Sequence, residues 1–317
     1  MKSAALLSLL LITGAASCGD STEAPGEQAV LAWHDEAKGI KSVEGHKDFG
    51  LEEGDWKWWH ENGQLSRTGS FEHGQPIGTW LSWHPDGSRE SVGQYVDGEL
   101  QGLQESWYPN GQPQLEITYD QGLINGTAKR WSEDGVLLRI EHAVAGNLEG
   151  EVIERWPNDQ IKVRGQFEGG LQVGESASYF ENGQLESEGR FEAGQQVGEW
   201  REYFESGALR FEATYIAGAP EGVARYFHEN GQLAAFATFA NGQQVGEFRT
   251  YFEDGTPQTT GSYVDGLKHG QWEVRDETGA LNQNQSGEYE AGKRIALPDG
   301  TPIQNSPINT PGTGRDQ

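Results

Sequence analysis

Ten glycines stand 24 residues apart without an insertion: Gly54, Gly78, Gly102, Gly126, Gly150, Gly174, Gly198, Gly222, Gly246 and Gly270. An interval held that long means one small structural unit copied side by side, each copy leaning on its neighbours. Each unit is numbered here from its glycine as offset 0. A second glycine series runs at offset 9 from Gly63 to Gly279, broken only by Asp159, and a third at offset 20 from Gly74 to Gly266. Offset 17 is aromatic from Phe71 to Tyr263, with Ala143 as the exception. Offset 5 is aromatic from Trp59 to Tyr251, with Arg155 departing, as does Arg275 in the last unit.

Offsets 7 to 9 read Glu61-Asn62-Gly63, Pro85-Asp86-Gly87, Pro109-Asn110-Gly111 and Glu181-Asn182-Gly183. Asn or Asp before Gly, between aromatic segments, signals a hairpin. A two-residue turn would make offset 7 a strand residue that donates its N–H, and Pro85, Pro109 and Pro157 have none. A type I turn followed by a left-handed glycine suits Pro at its first corner and Gly at the position needing positive φ. That turn sets Tyr179 opposite Leu185 and Tyr203 opposite Leu209. The glycines at offsets 20 and 24 are then expected to make the return connection. Small residues at offset 15, such as Gly69, Gly189 and Ala213, leave room for large rings beside them. The expected fold is all-β: a single-layer, elongated antiparallel meander of about ten 24-residue β-hairpins, stabilised by rings stacked repeat on repeat.

Units such as GEWREYFESGALRFEATY and GEFRTYFEDGTPQTTGSY resemble the MORN repeat in its bacterial variant form, carried by proteins classed as the YwqK-like toxin–antitoxin antitoxin family. The resemblance covers residues 54 to about 293, with a degenerate unit over 30–53. Trp56, Trp80, Trp200 and Trp272 match the family tryptophan, whereas Gln104, Ala128, Ser176 and Ala224 do not. The units from Gly126 and Gly150 depart furthest, and the sheet is expected to be weakest or most bent there. The resemblance implies a meander of hairpins and a role in protein contacts, of which an antitoxin- or immunity-like activity is one version; it does not imply an enzyme.

The flanks differ from the repeats. MKSAALLSLLLITGAAS, residues 1–17, has one basic residue, a short apolar run and small residues before Cys18, the only cysteine of the chain. This resembles a bacterial lipoprotein signal peptide, with Cys18 as the lipidated residue and, from Gly19 after it, an outer-membrane destination in the cell envelope. Residues 18–29 read as a flexible tether, 30–53 as a capping repeat and 294–317 as a disordered tail rich in Pro, Gly, Thr and Asn. With 23 Lys+Arg against 49 Asp+Glu, the formal charge is −26. That field repels phosphate backbones, so nucleic acid is not an expected partner, and the membrane is expected to be met through the lipid alone.

No pattern of catalytic chemistry emerges, and no cofactor or metal is expected. His60, His84 and His228 share offset 6. Equivalent positions lie two strands apart, about 10 Å, too far to share one zinc, and they read as solvated residues beside the turn. Acidic tips such as Glu181 and Asp254 read as turn formers, without a calcium-loop pattern. The expected binding residues are the aromatics at offsets 5 and 6: Tyr179, Phe180, Tyr203, Phe204, Phe227, Tyr251 and Phe252. Two partners suit them, another protein or a glycan whose sugar faces stack on rings.

Overall fold

A computed structural model describes residues 26–303, to which every statement below refers; Cys18 lies outside them. The chain divides into two compact units, Met1–Gly146 and Asn147–Gln317, and each is treated by itself. The boundary falls between the glycines of the two most divergent repeats. Both units are all-β, open antiparallel meanders in which each strand pairs with its chain neighbours. Apart from strands, the described residues form one 3-10 turn, Glu36–Lys38.

The hairpin turn is the expected one. In the repeat from Gly198, strands Gln195–Tyr203 and Leu209–Ile216 are joined at Phe204–Ala208. The Gly207 N–H donates to Phe204 O at 2.8 Å, and the Phe204 N–H to Ala208 O at 2.8 Å. Gly207 sits at φ 86, where a side chain would be strained. Tyr203 pairs with Leu209 and Tyr179 with Leu185.

The return connection differs from expectation. It is a two-residue turn at offsets 19 and 20, as at Ala217 (φ 49) and Gly218 (φ 80), between the paired Ile216 and Ala219. Two positive φ values match the twist of adjoining strands, the type I′ geometry. The glycine at offset 0 lies inside a strand instead. On strand Gln195–Tyr203, Gly198 has φ 70 and begins a bulge. Across the pairing, Val197 faces Arg190 and Arg201 faces Glu188, so Gly198, Glu199 and Trp200 together oppose Gly189 alone. The bulge arches Trp200 over Gly189, and a Cβ built on Gly189 would overlap the indole. The same holds for Trp56 on Gly45, Trp80 on Gly69 and Trp272 on Gly261.

This arrangement is the core. Trp56, Trp200 and Trp272 are 5%, 8% and 1% exposed, which makes offset 2 the buried column. The offset-17 rings pack edge-on against it: Phe191 on Trp200 at 5.1 Å, Tyr263 on Trp272 at 5.0 Å, Phe71 on Trp80 at 5.0 Å. Each such pair adds roughly 0.5–1.5 kcal/mol beyond its area. In two units without the tryptophan the neighbour is larger, Phe248 pairing with Ala237 and Ala128 with Ile117, whereas Gly93 stays small beside Gln104. Ala224 packs with Ala213 and Phe211 in a small cluster.

The ends follow the same plan. The first strand, Glu27–Asp35, begins inside the stretch assigned to the tether, and the last, Lys293–Ala296, runs into the stretch assigned to the tail. Ala296 also bridges to Pro302. Two extra residues before Tyr289 are absorbed near Ser286, whose hydroxyl donates to Val274 O at 3.1 Å. Tyr289 then pairs with Gly270, as Tyr263 does with Gly246.

Candidate functional site

Strand alternation separates two faces. Offsets 2, 4, 13, 15 and 17 share the face of the buried rings; offsets 1, 3, 14 and 16 share the other. In the second unit, offsets 3 and 14 on that other face carry alternating charge. Glu188 pairs with Arg201, Arg201 with Glu212, and Glu212 with Arg225. Their charged ends meet: Arg225 to Glu212 at 3.1 Å and Arg201 to Glu188 at 3.9 Å, with Arg201 also on Glu199 at 2.7 Å. Arg249 pairs with Glu247 and lies over the Phe236 ring at 5.8 Å. These exposed pairs contribute little to stability, because solvent screens them.

The offset-5 tyrosines join this charged row. The Tyr203 hydroxyl donates to Glu188 Oε1 at 2.8 Å. Burial, and then that hydrogen bond, push the Tyr203 phenol above its ordinary pKa. Tyr251 follows Arg249 by two residues on strand Gln243–Tyr251. Tyr179 lines an open depression of about 330 Å³ with Arg164, Glu175, Ser176, Ala177, Leu185 and Glu188. Phe227 takes the same register position, opposite Leu233. All seven candidate aromatics are half-buried. Phe180, Phe204 and Phe252 open the hairpin turns through their backbone. Sequence reasoning missed the charged partners, Arg201, Glu188, Glu212 and Arg225. Their signal was weak: Arg recurs at offset 3 in three successive units, Arg201, Arg225 and Arg249.

The offset-6 histidines are not merely solvated. His60 Nε2 is 2.8 Å from Trp83 O, His84 Nε2 2.8 Å from Trp107 O, and His228 Nε2 2.9 Å from Tyr251 O. Each links one hairpin to the next, as do Tyr108 and Trp156 from the same offset. Asn at offset 8 adds a second link. Asn182 accepts from the Gln184 N–H at 2.8 Å and donates to Glu205 O of the next tip at 3.1 Å. Asn62, Asn110, Asn158 and Asn230 do the same, whereas the Asp86 and Asp254 side chains bond only within their own turns. Return turns are tied likewise: the Gly218 N–H donates to Gln196 O at 3.0 Å, and the Asn241 N–H to Glu221 Oε2 at 2.7 Å. Among the described residues no three His, Cys, Asp or Glu converge to hold a metal.

Comparison with known proteins agrees with this local architecture. The MORN repeat variant profile matches residues 52–73, 100–121, 172–193, 196–217, 220–241 and 244–265. Each match starts two residues before a repeat glycine and ends in the return turn. The units from Gly126 and Gly150 are not among those matched. No curated protein matches the chain. Among solved structures, TcdB2-TccC3 without its hypervariable C-terminal region is 10% identical, over 84% of this chain and 17% of that one, with a TM-score of 0.16. The Photorhabdus luminescens Tc holotoxin pore is 11% identical, over 86% and 17%, with a TM-score of 0.14. The chain thus spans about a sixth of the length of those chains, and so low a TM-score carries no argument.

Proposed function

We propose that this chain is a non-enzymatic scaffold, held in the cell envelope by a lipid on Cys18, that binds another protein. The binding face is the charged one of the second unit, where the offset-5 aromatics border the Arg–Glu row. The observation that carries this reading is that Glu188 accepts from the Tyr203 hydroxyl and faces the Arg201 guanidinium on one strand surface. Tyrosine and arginine are the residues that protein interfaces concentrate, and alternating charge selects a partner by complementarity. The glycan alternative is less well supported. Stacking on sugars needs open ring faces, and all seven candidate rings are half-buried. An immunity-like role against an exported toxin is the version that the YwqK-like resemblance suggests.

The test is capture of envelope proteins by the lipidated full chain, compared with Arg201→Glu, Tyr203→Ala and a control on the opposite face, Thr259→Ser. A partner retained by wild type and control but lost from both charged-face variants supports the reading. Capture unchanged by those variants, or retention only on cell-wall glycan, overturns it.

A further inference from the structure

Phe49 departs from the repeat in residue type: its backbone is that of the other return turns, but its side chain is a large exposed ring. It is the first central residue of a return turn, at φ 47. Equivalent positions, from His73 to Asp265, hold Ala, Asp, Asn, Gln, His or Gly. An aromatic side chain is unfavourable in the left-handed region, and here burial does not compensate, because Phe49 is 80% exposed. Strain together with exposed apolar surface points to a role outside the fold. Leu51, two residues on, is 49% exposed.

Phe49 also stands where the chain from Cys18 joins the sheet. Its N–H donates to Gly26 O at 2.7 Å. Eight residue steps separate Cys18 from Gly26. Fully extended, they span at most ~28 Å, so a lipid on Cys18 keeps Phe49 within that distance of the bilayer. Asp48 and the Lys47–Glu52 ion pair flank the ring, so nothing basic draws it to anionic lipid; apolar area is the driving force.

We propose that Phe49, with Leu51, is a wedge that enters the interface of the bilayer holding the Cys18 lipid, so that the protein meets the membrane through its fold as well as its anchor. This rests on the lipid-anchor reading above. Since Cys18 is the only cysteine, a cysteine introduced elsewhere is the sole free thiol of the lipidated protein. Phe49→Cys, Leu51→Cys and, at a return turn of the second unit, Ala217→Cys are labelled with a polarity-sensitive fluorophore. Each is reconstituted in phosphatidylethanolamine–phosphatidylglycerol vesicles containing a lipid-borne quencher. Far-ultraviolet dichroism checks each variant's fold, and palmitate incorporation checks the anchor. Severalfold stronger quenching at 49 and 51 than at 217 is expected. If palmitate is incorporated and all three labels stay aqueous, the wedge alone is overturned. If Cys18 takes no palmitate, the anchor and the wedge fall together.

Discussion

The indole of Trp200 lies across the α-carbon of Gly189, one hairpin back, in space that a β-carbon would fill. The bulge at Gly198 makes the approach, and the glycine permits it. Size is therefore shared across the boundary between repeats: Trp with Gly, Phe248 with Ala237, Ala128 with Ile117. Gly189→Ala should destabilise by about 1–3 kcal/mol through overpacking, and Trp200→Ala by about 3–5 kcal/mol. In the Trp200→Ala background, Gly189→Ala should cost almost nothing, because it recreates the native packing of Ala224 with Ala213. Urea denaturation of the four proteins measures this cycle, and additive costs would refute the shared-space account.

The hairpin tips depend on one amide. Asn182→Asp keeps the acceptor for the Gln184 N–H but loses the donor to Glu205 O and sets a carboxylate against that carbonyl. A loss of about 0.5–1.5 kcal/mol is expected, with faster amide exchange in the tips on both sides. Unchanged exchange in the Glu205 tip would show that the link contributes nothing.

Return turns hold alanine in the left-handed region at Ala145, Ala193, Ala217 and Ala291. Ala217→Asn should raise the melting midpoint by relieving roughly 0.5–1 kcal/mol, since Asn tolerates positive φ. A lowered midpoint would mean that this turn is not of the assigned type.

Alkali should unfold the protein early. Burial raises the phenol pKa of Tyr95, Tyr119, Tyr203, Tyr215, Tyr226 and Tyr263. The folded state then holds protons that the unfolded state has lost, so this stability is complete below the unfolded pKa of about 10 and is lost as pH rises through the folded values. Lys268, lowered by burial over Trp272, has the opposite sign and is a single group. Melting midpoints should fall steeply above about pH 10. Tyr263→Phe should flatten that fall and leave the neutral-pH slope unchanged.

The hairpin was legible because its determinants are local. The Asn-Gly and Pro-x-Gly tips fixed the turn, and the turn fixed the pairing of Tyr203 with Leu209. The positive-φ pair at Ala217 and Gly218 was misplaced by a few residues, because a glycine at offset 24 looks the same in sequence whether it turns the chain or bulges a strand. The site was less legible. Tyr179, Tyr203 and Tyr251 were singled out for their rings, but Glu188, one strand away from Tyr203, and Arg201, two residues before it, gave only the weak sign of an arginine recurring at offset 3.

The sequence by itself determined the unit, its length, its turn and its antiparallel meander, since all of these are set within one stretch of 24 residues. Only the tertiary structure decided which aromatic column is buried, that the histidines and asparagines tie one tip to the next, and that Phe49 is left in the open beside Gly26. The first two of those relations join residues of different hairpins. They depend on how one bulged strand lies against its neighbour, a distance that no local pattern encodes.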